Sequence, residues 1–176
     1  MPMFWIKFLR DFIKILRAGQ TPAQIGGGFA LGFILGLSPM LTLQGIAIWF
    51  IILVLDINLS AALLSVTLFS LVAFIIDPLF HHLGYFLLVD VEALRKIWTA
   101  LYNAPIAPLT RFNNTVVLGS FVSAVVLCLP AYRGMKRFVI AYRAGVGAKI
   151  EQWKIYKVLR RNTLVRWYLK IRDMVR

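Results

Sequence analysis

From Thr21 to Asp90 apolar residues run on with few polar interruptions, and no lysine or arginine occurs between Ala18 and Leu94. A soluble helical domain needs a charged face, so a run this long without one predicts helices that meet lipid. The polar interruptions set the expected boundaries. Thr21-Pro22 starts the first membrane helix, an N-cap followed by proline at the first helical position, where its missing N–H costs nothing. Ser38-Pro39 and Asp77-Pro78 have the same form, so each is expected to end one helix and begin another inside or near the bilayer. Residues 22–37 would give about 24 Å of helix, short of the ~30 Å hydrocarbon core, and 39–55 is similar. Asp56-Ile57-Asn58 marks a break at a membrane surface, 59–76 is a crossing, and 78–89 is too short to span.

Past Asp90 the pattern changes. Val91, Leu94, Trp98 and Leu101 form one face of a short amphipathic helix, with Asp90, Glu92, Arg95 and Lys96 on its wet side. A loop follows at Asn103–Pro108, and Asn113-Asn114 lead into a last apolar run, 115–129, closed by Pro130. The expected fold is all-α: a polytopic membrane protein with two proline-broken hairpins of re-entrant type, a further transmembrane helix and basic amphipathic ends. Its parts are an interfacial helix (1–17), a membrane domain (18–131) and a basic helical tail (132–176).

A glycine lies six residues after each proline, Gly45 and Gly84, so GLSPMLTLQG and IIDPLFHHLG read either as a repeated unit or as two ordinary proline breaks. Gly28, Gly32 and Gly36 fall on one helical stripe, a surface that lets another helix approach closely in lipid.

Composition agrees with the pattern. The 176 residues are 60% hydrophobic with mean hydropathy +0.79, outside the soluble range. A net charge of +13 suggests nucleic acid until its placement is read. Lys7, Arg10, Lys14 and Arg17 precede the apolar run, only Arg95, Lys96 and Arg111 interrupt it, and Arg133, Lys136 and Arg137 open a basic stretch that continues to the end. This is the pattern of a membrane core with both termini at the cytoplasmic face, its basic ends drawn to lipid head groups. No nucleic-acid motif accompanies the tail. The first seventeen residues alternate charge with apolar bulk, so an uncleaved membrane protein is expected. With both ends on one side the crossings must be even in number. Either the first hairpin re-enters and 59–76 crosses, or 32–55 crosses and the second hairpin re-enters from the far side. The single cysteine, Cys128, forms no internal disulfide.

Polar residues at membrane depth are costly, which makes Ser38, Pro39, Gln44, Asp77, Pro78, His81 and His82 the candidate substrate path. Asp77 and His81 are one turn apart and could pair; alternatively Asp77 caps a helix and one histidine bonds a carbonyl. Adjacent histidines point about 100° apart on a helix, so no metal site is expected, and no cofactor either. Without a nucleophile elbow, phosphate loop or carboxylate pair, the chain is not read as an enzyme. Helices starting at Pro39 and Pro78 would aim two N-termini, each about half a positive charge, into the bilayer, as in carriers of anionic groups.

The run AGQTPAQIGGGFALGFILGLSPMLTLQG, followed by DIN, DP and Gly-Tyr, resembles a bacterial membrane family defined only as a domain of unknown function. That family pairs a glycine-rich segment ending in proline with a later Asn-Pro, where this chain has Asp77-Pro78. The resemblance implies an inner-membrane protein of diderm bacteria, with a periplasmic lipid-transfer-type partner in one branch. Proline-containing re-entrant hairpins are similar, at the level of fold alone, to DedA-type scramblases. The expected function is a non-enzymatic component assisting translocation of lipid or a small anionic solute. The competing expectation is a structural or assembly subunit that anchors a partner. A wet cleft joining Ser38 and Asp77 favours the first and a dry glycine-packed core the second; the oligomeric state stays open.

Overall fold

The structure, a computed structural model, describes Ile15 and residues 20–146. The helix expected at 1–17, with Lys7, Arg10, Lys14 and Arg17, and the tail beyond 146 lie outside the described residues. The chain divides into two compact units, Met1–Arg137 and Phe138–Arg176. In the second, the last helix ends at Ala141 and a π-helical turn covers Tyr142–Val146.

Five α-helices carry the described fold: α1 (Pro22–Leu37), α2 (Leu43–Val54), α3 (Leu59–Tyr85), α4 (Arg95–Tyr102) and α5 (Thr115–Ala141). The α1 start follows expectation. Thr21 caps it, its hydroxyl accepting from the Gln24 N–H while the Gln24 side chain reaches back to the Thr21 N–H at 2.8 Å. Asn58 caps α3 in the same manner, accepting from the Ala61 N–H at 2.7 Å.

The α1–α2 hairpin leaves and returns at one end. The Asn58 N–H donates to the Gln24 carbonyl (3.0 Å), and Gln24 Nε2 donates to Asp56 Oδ2 (2.8 Å). From there α3 runs parallel to α1, with Gly28 against the Asn58 carbonyl, Gly32 against Ala62 and Gly36 against Val66 and Phe69. The predicted glycine stripe is therefore the α1–α3 contact, and opposite it Ala61, Ala62 and Ser65 are fully buried. Ser65 Oγ donates across the contact to the Phe29 carbonyl at 2.7 Å. Against both helices α5 runs antiparallel: Gly84 meets the Thr115 carbonyl, Gly119 the Phe80 carbonyl and Gly26 the Tyr132 ring. Phe33, Leu37, Ile48, Ile52, Val66, Phe80 and Ala124 form one core among the four helices.

Two sequence expectations fail. Asp77-Pro78 does not break a helix, because α3 runs through it, and with the π-turn Phe86–Asp90 the helical stretch reaches Asp90. Pro78 removes only the hydrogen bond to the Phe74 carbonyl, and the backbone-to-backbone packing of Phe80 on Gly119 and of Gly84 on Thr115 holds the second half of α3 in line. Pro130 likewise lies inside α5. The second hairpin is absent, and so is the repeat: Gly45 sits beneath the Met40 carbonyl of its own turn, whereas Gly84 packs on another helix.

Leu59–Asp90 and Thr115–Gly145 are long and apolar enough to cross a membrane. A soluble core helix of that composition would be mostly buried, yet only 22% and 28% of their apolar windows are. Phe74, Ile75 and Leu79 on α3 and Val125, Val126 and Leu129 on α5 face outward, as do Ile46, Phe50 and Leu53 on α2.

Candidate functional site

The turn between α1 and α2 is where the backbone runs out of internal partners. Proline restricts the residue before it to extended geometry, and Ser38 obeys (φ −107°, ψ 154°). Ser38 therefore ends α1 instead of capping a new helix, and α2 begins five residues later behind Thr42. The Thr42 hydroxyl donates to the Pro39 carbonyl (3.0 Å) and accepts from the Gly45 N–H (3.3 Å), and Gly45 lets the Met40 carbonyl fold down onto it. These contacts shape the tip but leave most of it unpaired. Among the described residues the N–H groups of Met40, Leu41, Thr42, Leu43 and Gln44 have no acceptor. Ser38 is 8% exposed, and its Oγ has no partner.

Depth makes this unusual. Cys128 lies against Ala30 and Tyr132 against Gly26, so the antiparallel register carries Leu37 to the level of Phe121. At ~1.5 Å per residue the tip stops about 9 Å short of the Thr115 end of α5. The segment joining α3 to α5 dips toward it. Gln44 Nε2 donates to the Thr110 carbonyl at 2.9 Å, at the end of a 3₁₀ turn (Ala107–Thr110), which orients the amide and leaves Gln44 Oε1 buried without a donor. Trp98 braces that segment, stacking on Phe112 and donating to the Leu87 carbonyl at 2.8 Å. The next residue, Arg111, is exposed and held at φ 56°, in the left-handed region.

The other predicted path residues lie on α3. Asp77 is half-buried in mid-helix, capping nothing, and its carboxylate forms no hydrogen bond among the described residues. His81 does not pair with it: His81 Nδ1 bonds Thr115 Oγ1 at 2.7 Å, tying α3 to the start of α5. His82 and Pro78 are exposed. Thus Ser38, Pro39 and Gln44 come together in the turn, while no hydrogen bond links them to Asp77, His81 or His82. Among the described residues one helix, α2, starts part-way along α3 and α5 where two such starts were expected, because α3 is unbroken. No group of three potential metal ligands occurs among the described residues.

Thr42, Thr110 and Arg111 were missed as site residues. A threonine three residues before Gly45 was a legible capping signal; the Gln44–Thr110 contact joins residues far apart in sequence and left no local trace. At the opposite end of α1, Arg133 and Arg137 are exposed and Lys136 Nζ lies 5.9 Å from the Tyr132 ring centre, beside the capped start of the hairpin.

No solved structure matches the chain. An uncharacterized protein of Treponema pallidum (strain Nichols) is 30% identical over 159 residues, covering 90% of this chain and 98% of that one. The model of a family described as an uncharacterized protein conserved in bacteria (DUF2062) matches residues 7–145, and the chain belongs to that family.

Proposed function

We propose that this is a non-enzymatic integral protein of the bacterial inner membrane, with both termini cytoplasmic, that assists translocation of lipid or a small anionic solute. In this reading α3 and α5 cross the bilayer and α1–α2 is a re-entrant hairpin entering from the side of Arg133, Lys136 and Arg137. The basic residues and the hairpin's two ends share that side, which supports the even number of crossings. The observation that carries the function is the hairpin tip: an unwound turn with free backbone donors, deep between two span-length helices and beside an outer surface fit for lipid. Unwound backbone at such depth is tolerated where it is buried in protein or lines a water-filled cavity, and carriers place their clients against it.

The test is scrambling of an acyl-labelled fluorescent phospholipid in proteoliposomes, read by dithionite quenching. The wild type and Pro78→Ala are expected to be active and Pro39→Ala impaired, since only Pro39 shapes a turn. An inactive wild type refutes lipid translocation. It would favour the second reading, an anchor for a partner such as a periplasmic lipid-transfer-type protein, which draws support from the dry packing of Gly28, Gly32, Gly84 and Gly119 on backbone carbonyls.

A further inference from the structure

We propose that the α1–α2 tip is a phosphate-binding site, formed by the backbone N–H groups of Met40–Gln44 and the Ser38 hydroxyl, with Arg111 as its cation. The proposal rests on the re-entrant reading and names the chemistry of its client. Consecutive free N–H groups leading into a helix N-terminus make a concave donor array with a positive dipole end, and such an array takes anionic oxygens. The α2 terminus alone would be a weak argument. A second observation stands beside it: Ser38 ends the same turn with a hydroxyl that is more than nine-tenths buried and unpartnered.

The charge completes the argument. No lysine or arginine is present in α1, α2 or α3. Arg111 comes from the other side, one peptide beyond the carbonyl that Gln44 holds at 2.9 Å. It is exposed, has no acidic partner among the described residues, and occupies a backbone conformation costing roughly 1 kcal/mol or more in a residue with a Cβ. Gln44 Oε1 is the acceptor among these donors. It suits the P–OH of free phosphate, or a hydroxyl or ammonium next to the phosphodiester of a head group. Lipid head group and free phosphate share this chemistry, and the experiment separates them.

The full-length protein, purified in detergent, is titrated with phosphatidylcholine, with diacylglycerol of the same chains and with inorganic phosphate, and bound ligand is read by native mass spectrometry. Phosphatidylcholine has no net charge to answer the basic ends of the chain. It should be retained at least tenfold more tightly than diacylglycerol. Arg111→Gln should weaken retention about tenfold, the scale of one charge-assisted contact. Arg111→Lys should recover most of it, Leu41→Pro, which deletes one donor, should weaken it, and Arg95→Gln should leave it unchanged. Displacement by millimolar inorganic phosphate supports the site and assigns it to the free ion; resistance supports it and assigns it to lipid. Equal retention of diacylglycerol and phosphatidylcholine overturns the proposal, as does wild-type binding by Arg111→Gln. Scrambling by a wild type that fails this binding test would remove the site and keep the translocation reading; phosphate binding without scrambling would do the reverse.

Discussion

Gly32→Ala isolates the contact on which the whole bundle is hung. A methyl at Gly32 would land on the Ala62 carbonyl oxygen and come within 2.9 Å of two Ala62 carbon atoms, all of them backbone that no rotamer change can move aside. Relief requires α1 and α3 to separate by roughly 1 Å, and a gap of that size forfeits between a quarter and a half of each dispersion contact along the interface. Overpacking of this kind costs about 1–3 kcal/mol. Against it stands the better helix propensity of alanine, worth about 1 kcal/mol. Gly134→Ala measures that propensity by itself, because nothing lies within 4 Å of a methyl there. In detergent, thermal unfolding followed by circular dichroism should place Gly32→Ala up to about 2 kcal/mol below wild type and Gly134→Ala above it by up to about 1 kcal/mol. If Gly32→Ala were as stable as Gly134→Ala, the close α1–α3 approach would be wrong, and with it the depth assigned to the hairpin tip.

Other variants address the site and the helix register. Ser38→Ala removes a buried hydroxyl that has no partner among the described residues, so without phosphate it should unfold no more easily than wild type, while phosphatidylcholine retention falls. Arg111→Gly relieves the positive φ and should raise stability by about 1 kcal/mol while weakening the proposed binding about tenfold, a gain and a loss read in the same two assays. His81→Ala and Thr115→Val should each cost about 1 kcal/mol in thermal unfolding, and the double variant little more than either, since both delete one 2.7 Å hydrogen bond. Pro78→Ala restores a bond to the Phe74 carbonyl within continuous helix and should stabilise; a loss of helix content on circular dichroism would mean that the proline defines a boundary after all.

What could be read from the sequence was local. Thr21-Pro22, the glycine stripe and Asn58 each announce themselves within a few residues, because capping and close packing depend on spacing along one helix. Prolines misled because their local meaning is conditional. Ser38-Pro39 and Asp77-Pro78 are the same dipeptide type, yet the first ends a helix and the second is carried through one. The difference lies in Phe80 on Gly119 and Gly84 on Thr115, contacts to a helix more than thirty residues away. The candidate site was half legible for the same reason. Ser38, Pro39 and Gln44 were singled out as polar interruptions of an apolar run, whereas Thr110 reaches the turn only through the folded segment that Trp98 braces on Phe112.

A dry tip would be hard to reconcile with a stable fold. Five consecutive N–H groups have no acceptor among the described residues, and each would cost about 1–3 kcal/mol if it were left unmet away from water. The Ser38 hydroxyl and Gln44 Oε1 add to the same deficit. Packing at the helix contacts is close, since Gly28, Gly32, Gly84 and Gly119 sit against neighbouring carbonyls with no room for a methyl. Met40 and Leu41 at the tip are exposed, Leu41 by 87%, so the turn is open on one side while Ser38 closes it on the other. Among the described residues these donors have no acceptor, and the Gln44 bond to the Thr110 carbonyl joins the tip to the segment that carries Arg111. In the proposed site a phosphate-bearing client would meet those donors and that cation together.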